Sequence, residues 1–204
     1  MKQKFPSRVP SMGGYDPLSG GANRIEWAAN SLVSIAGVVK PPVPLGPLHR
    51  IPLGKPLRIA ERPLGIIRAL SFDEGREYVV VVDTALSRVQ RRYVAVRESL
   101  YILRLAFPGS FSLSDEQMEV AAEEWAAHYL MPSEMLKGHL NAGLGVRGLA
   151  ALFDVPFSAM YRRIERLHAA HGVTMDNVLK TGAGLSVLGT LRDYHKSQRQ
   201  SLSS

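Results

Sequence analysis

The chain has no cysteine, which excludes disulfide bonds and any metal centre built on thiolates. Long apolar runs are missing too. Stretches such as Tyr78 to Val82 are strand-sized, well short of the roughly 18 to 20 residues that a membrane-crossing helix requires. Lys2, Lys4 and Arg8 are followed by proline and glycine rather than by an apolar segment, so the opening residues do not read as a secretory signal. A cytoplasmic protein without membrane contact is expected. Phosphate-binding loops are also lacking, since Gly182-Ala183-Gly184 is too short to form one. No nucleophile elbow or ordered Ser/His/Asp set stands out.

What is present points to a folded, basic protein. With 204 residues and 46% hydrophobic content, one core of ordinary size is expected, with a small helical unit appended. The 25 basic side chains outnumber the 18 acidic ones, for a net charge of +7. That balance favours loose association with polyanions such as nucleic acid, without conferring specificity.

Met1 to Ala22 combines three prolines with two Gly-Gly pairs and reads as a flexible leader. From Asn23, an expected N-cap, Ile25, Ala28, Ala29, Leu32, Val33, Ile35 and Ala36 recur at helical spacing and stop at Gly37. Pro41, Pro42, Pro44, Pro47 and Pro52 then exclude a long helix and predict an extended linker. Leu57 to Ala60, Gly65 to Phe72 and Arg76 to Asp83 read as short strands of a small antiparallel or mixed sheet packed on helices, with an antiparallel meander fitting the local pattern. Tyr78 to Val82 should be its most buried member. A helix follows from Ala85 to Phe107, with Val89, Tyr93, Val96, Leu100 and Leu103 towards the core and Arg97 and Tyr101 on the neighbouring face. Ser114 caps the next helix, which runs to about Met131. Helical stretches are expected at Ser133 to Leu140, Val146 to Phe153, Phe157 to His171 and Gly184 to Tyr194.

The order of these parts resembles the ImmA/IrrE family of zinc-peptidase-like proteins. The likeness rests on the Lys40-Pro41-Pro42-Val43 turn and the helix segment Arg92 to Tyr101. It also rests on Glu119 to Pro132, which is similar at most positions to a family helix reading E-x-x-A-N-x-F-A-A-x-L-L-M-P, and on the stretch Leu149 to Pro156. It covers about Ile25 to Leu167 and is weakest in the strands. The resemblance implies an α+β, zincin-like domain over residues 23–140, helix-turn-helix-like helices over 141–172, and a C-terminal helix with a frayed tail over 173–204. Family members are implied to be metallopeptidases that cleave repressor-type regulators in mobile elements or in stress responses.

In a His-Glu-x-x-His helix, two imidazoles one turn apart hold zinc and the intervening Glu takes a proton from water. Laid on the family motif, Arg97 and Tyr101 occupy the two histidine positions, Glu98 the general-base position and Glu119 that of the acidic third ligand. A guanidinium never offers a lone pair, and Tyr101 would have to ionise from a reference pKa of about 10. The resemblance therefore implies a degenerate peptidase without metal or cofactor, acting by binding. Its expected partners are a regulatory protein in the former peptidase cleft and DNA through Arg162, Arg163 and Arg166. The alternative is an active metallo-endopeptidase with an unorthodox zinc site, for instance Glu119, His128 and water. Arg97 is expected to pair with Glu119 or Glu123 across two helices, since carboxylates left without a cation are costly to bury. His128 reads as a partly buried core histidine, and His168-x-x-His171 as a helix end rather than a ligand pair.

Overall fold

The computed structural model describes residues 22–171, so the leader before Ala22, the expected Gly184 to Tyr194 helix and the tail lie outside the described residues. Among those described are six α-helices and a three-stranded sheet, an α+β arrangement. They divide into two compact units. The first comprises residues 22–38 and 43–130, the second residues 39–42 and 131–171.

In the first unit, α1 (Ala22–Ile35) buries Ile25, Ala29 and Val33, one residue per turn. Asn23 lies inside this helix rather than capping it. Ile35, expected in the core, is 76% exposed because it falls two positions past Val33 and off the buried stripe. The helix stops where Gly37 takes φ +69°, which lets its N–H reach Ser34 O while Val38 N–H reaches Val33 O. The proline-rich linker is not simply extended. It folds through a 3-10 turn, Gly46–Arg50, with Val43 and Leu48 fully buried, and His49 Nδ1 donates to Leu57 O at 2.7 Å.

The strands are β1 (Leu57–Arg62), β2 (Ala69–Asp73) and β3 (Tyr78–Asp83), in the order β1-β3-β2. The sheet is the mixed one of the two expected forms and not an antiparallel meander: β2 and β3 form an antiparallel hairpin, but β1 runs parallel to β3. The central place goes to β3 because Tyr-Val-Val-Val-Val is apolar on both faces and can bury both. Leu57 and Ala60 lie in β1, whereas Gly65 to Arg68 precede the edge strand.

Ser87 and Gln90 form a reciprocal capping box at the start of α2 (Arg88–Ala106). The helix packs against β2, β3 and α3 (Asp115–Leu130). Contacts on several sides widen its interior face: Val94, Ala95 and Ile102 are buried beside Tyr93, Val96 and Leu100, while Val89 and Leu103 are only partly covered. Ser114 caps α3, accepting from Gln117 N at 3.2 Å. The helix packs on both α1 and α2 through Met118, Ala121, Ala122, Trp125 and Ala126.

The second unit contains α4 (Ser133–Asn141), α5 (Val146–Phe153) and α6 (Phe157–His171) around Leu136, Leu149, Phe153, Met160 and Ile164. Between α5 and α6, Asp154 adopts the left-handed conformation at φ 56°. Aspartate tolerates that region better than most side chains, and the sharp turn lets Val155 N–H close on Ala150 O.

Candidate functional site

Helical spacing places Tyr93, Arg97 and Tyr101 on one line along α2 and Glu119 and Glu123 on one line along α3. The two lines meet. Tyr93 OH donates to Glu123 Oε2 at 3.0 Å, and Tyr101 OH donates to Glu119 Oε1 at 2.5 Å. Arg97 lies between the tyrosines and uses all three of its nitrogens. Nη2 contacts Glu119 Oε2, Nε lies 3.3 Å from Glu123 Oε1, and Nη1 lies 3.4 Å from Glu98 Oε1. The Nε contact is an ion pair without a directed hydrogen bond. From the sheet, Ser71 Oγ donates to the other oxygen of Glu98 at 3.1 Å.

One cation thus serves three carboxylates, and their environments differ. Glu98 is buried, and loss of solvent raises its pKa even though Arg97 and Ser71 favour the charged form. Glu119 is mostly exposed, and the Tyr101 hydroxyl, helped by Arg97, lowers its pKa against a smaller desolvation effect. Burial disfavours the Arg97 charge, but Glu119, Glu98 and Glu123 together outweigh it and hold the guanidinium protonated. Tyr101 is held neutral, first by desolvation and then by its hydrogen bond to Glu119.

This arrangement holds a cation permanently at the junction of α2, α3 and β2, with Glu98, Glu119 and Glu123 each also accepting from a hydroxyl, of Ser71, Tyr101 and Tyr93. It offers no imidazole, no thiolate and no ionised phenol. Among the described residues no group of three or more His, Cys, Asp and Glu side chains is disposed to hold a metal ion.

The other residues singled out in the sequence lie elsewhere. His128 is buried in the first unit, with Nδ1 3.4 Å from Glu26 Oε1 and Nε2 3.3 Å from Glu124 Oε2, away from the Arg97 group. Arg162 and Arg166 are exposed on α6. Arg163 is not: it is 4% exposed, donating from Nη2 to Ser133 Oγ at 2.7 Å and from Nε to Met131 O at 3.3 Å. It therefore belongs to the interior of the second unit, because the buried stripe of α6 is wide enough to include position 163 beside Met160 and Ile164. His168 is exposed, and the side chain of His171 lies outside the described residues.

Sequence reasoning missed Tyr93 and Ser71 as members of the Arg97 group. Tyr93 carried a signal, its four-residue step from Arg97. Ser71 carried none, because only the strand register brings it under α2.

Residues 56–165 match the family described as IrrE N-terminal-like domain, Peptidase_M78. No curated protein sequence matches the chain. Among solved structures, a Mycobacterium tuberculosis transcriptional regulator shares the fold with a TM-score of 0.50 at 16% identity, over 69% of this chain. The shared part spans 46% of that protein.

Proposed function

Since the chain belongs to the family of the IrrE N-terminal-like domain, we propose that it is a regulatory member whose zincin-like scaffold binds a partner without hydrolysing it. The degenerate motif is the core of this reading. Catalytic zinc takes three protein ligands and a water. The residues laid against its two histidines are Arg97, which has no lone pair to donate, and Tyr101, whose proton is engaged with Glu119 at 2.5 Å. Glu119, the acidic ligand position, is itself held by Arg97. These residues do not fit a zinc ion. The observation that carries the proposal is the three-way seating of Arg97 on Glu98, Glu119 and Glu123.

The partner in this reading is a regulatory protein bound along the α2–α3 face, in a cytoplasmic stress response or in the control of a mobile element. Metal analysis of the purified chain tests it: the unmodified protein should carry well under one zinc per chain. The double substitution R97H/Y101H should bring occupancy close to one, because two imidazoles one turn apart then join Glu119. Stoichiometric zinc in the unmodified chain, or cleavage of a repressor-type protein by it, would overturn the reading.

A second surface for DNA is supported by Arg162 and Arg166, exposed one turn apart on α6 after the tight Asp154 turn. R162A/R166A should abolish salt-sensitive retention on DNA and leave the melting temperature unchanged. R163A should do the reverse. It leaves the Met131 carbonyl and the Ser133 hydroxyl without their guanidinium, at a cost of about 1–3 kcal/mol.

A further inference from the structure

The sheet has a second face that the Arg97 group does not use. Ser71 Oγ reaches Glu98 on α2. Alternation along the strands then turns Ser71 and Val80 towards that helix and puts Leu70, Phe72, Val79 and Val81 on the opposite side. Arg58 and Arg62 join them from β1 through the pairs Arg58↔Val79 and Arg62↔Asp83. Asp83 N–H donates to Arg68 O and Glu74 N–H donates to Glu77 O, which extends the same register past both ends of β2. Arg68, Glu74 and Glu77 therefore stand on this face as well.

The face is apolar in the middle and charged at its ends. Leu70 and Phe72 are 42% and 39% exposed, and Val81 beside Leu70 is half-covered. At one end Arg62 and Arg68 are exposed and make no ion pair among the described residues. At the other end Glu74 and Glu77 share the single cation Arg58, which leaves a net negative charge. Along the strands the surface thus runs from positive through apolar to negative. A surface of that kind complements itself when it is turned end to end.

We infer that this face pairs with the same face of a second copy of the chain, about a twofold axis lying between the two sheets and across their strands. Leu70, Phe72 and Val81 of both copies then meet in the middle, and Arg62 and Arg68 of one copy stand against Glu74 and Glu77 of the other. The charges select the direction. An axis along the strands would set the arginines against their own counterparts, at a cost in like-charge repulsion. The three strands, with six residues in β1 and β3, give a flat face of about 300 Å² at spacings of about 4.8 Å and 3.3 Å. A standard stable interface takes about 800 Å² from each partner, so this dimer is a reversible one, of micromolar affinity. It goes beyond the recognition reading, because the α2–α3 face of each copy stays open.

Sedimentation velocity of the full chain, over about 5 to 500 μM, should show a monomer–dimer equilibrium that weakens as salt is raised. F72T should raise the dimer dissociation constant about ten-fold or more. Its melting temperature in dilute solution should be unchanged, since threonine suits an exposed strand position. Charge reversal tests the direction of pairing. R62E/R68E and E74K/E77K should each be monomeric alone, because each opposes like charges across the axis. An equimolar mixture of the two should form a heterodimer, because both ends then oppose unlike charges. A parent chain that stays monomeric throughout the range would overturn the proposal. So would a dimer untouched by F72T, or a mixture of the two charge variants that fails to associate while both keep the parent's circular dichroism.

Discussion

Arg97→Glu is expected to destabilise the first unit by about 2–4 kcal/mol at neutral pH, measured by denaturant unfolding. The substitution removes the cation shared by Glu98, Glu119 and Glu123 and adds a fourth carboxylate among them. Exposure of Glu119 keeps the cost below that of a fully buried pair. The pH dependence should steepen as well. In the parent chain the pKa of Glu119 is lowered from an ordinary value of 4.5, so its stabilising contribution is present above that value and is lost as pH falls through the folded one. Glu98 is raised above the same value, so its contribution is present at low pH and is lost as pH rises above 4.5, a window separate from that of Glu119. Without the guanidinium every carboxylate in the group is pushed up. R97E should then gain more stability on acidification from pH 7 towards about 5 than the parent, whose gain in that range comes from Glu98. An R97E chain with unaltered stability and the parent's pH profile would show that Arg97 does not hold the two helices together.

Trp125→Ala should cost about 3–5 kcal/mol, the range for truncating a buried indole. Trp125 is 3% exposed and stacks on Tyr129 with ring centroids 6.2 Å apart. Its Nε1 donates to Ser99 Oγ at 2.9 Å, and Ser99 Oγ donates in turn to Val96 O at 2.6 Å. The truncation therefore opens a void between α2 and α3 and removes the serine's donor. Trp125→Phe should recover most of the packing and lose about 1 kcal/mol for the hydrogen bond. A thermal melt of the two variants separates the contributions, and a near-native W125A would contradict the packing described.

The parts of this fold that were legible in the sequence are those set by neighbours along the chain. The expected stretches Val146 to Phe153 and Phe157 to His171 coincide with α5 and α6, and Ser114 marked the start of α3. Tyr78 to Val82 announced a central strand by being apolar on both faces. The partner of that strand was not legible, because parallel pairing with β1 depends on a path through space that no local pattern encodes. The same limit applied to the site. Arg97, Glu119 and Glu123 could be read as neighbours from helical spacing and the family resemblance, but Ser71 enters only through strand register. Arg163 failed for a different reason. Arg163 is expected to contact DNA with Arg162 and Arg166, whereas the interior stripe of α6 is wide enough to take it, and the Met131 carbonyl and Ser133 hydroxyl accept from its guanidinium.

The seating of Arg97 also constrains how this chain can drift. One side chain neutralises carboxylates on two helices, so position 97 and positions 98, 119 and 123 are not free to vary one at a time. Loss of the arginine takes the shared cation from three carboxylates at once, and loss of a single glutamate only loosens the group. Substitutions should therefore accumulate on the acidic side before the basic one, and a lineage that changed position 97 first would need a compensating change nearby to persist.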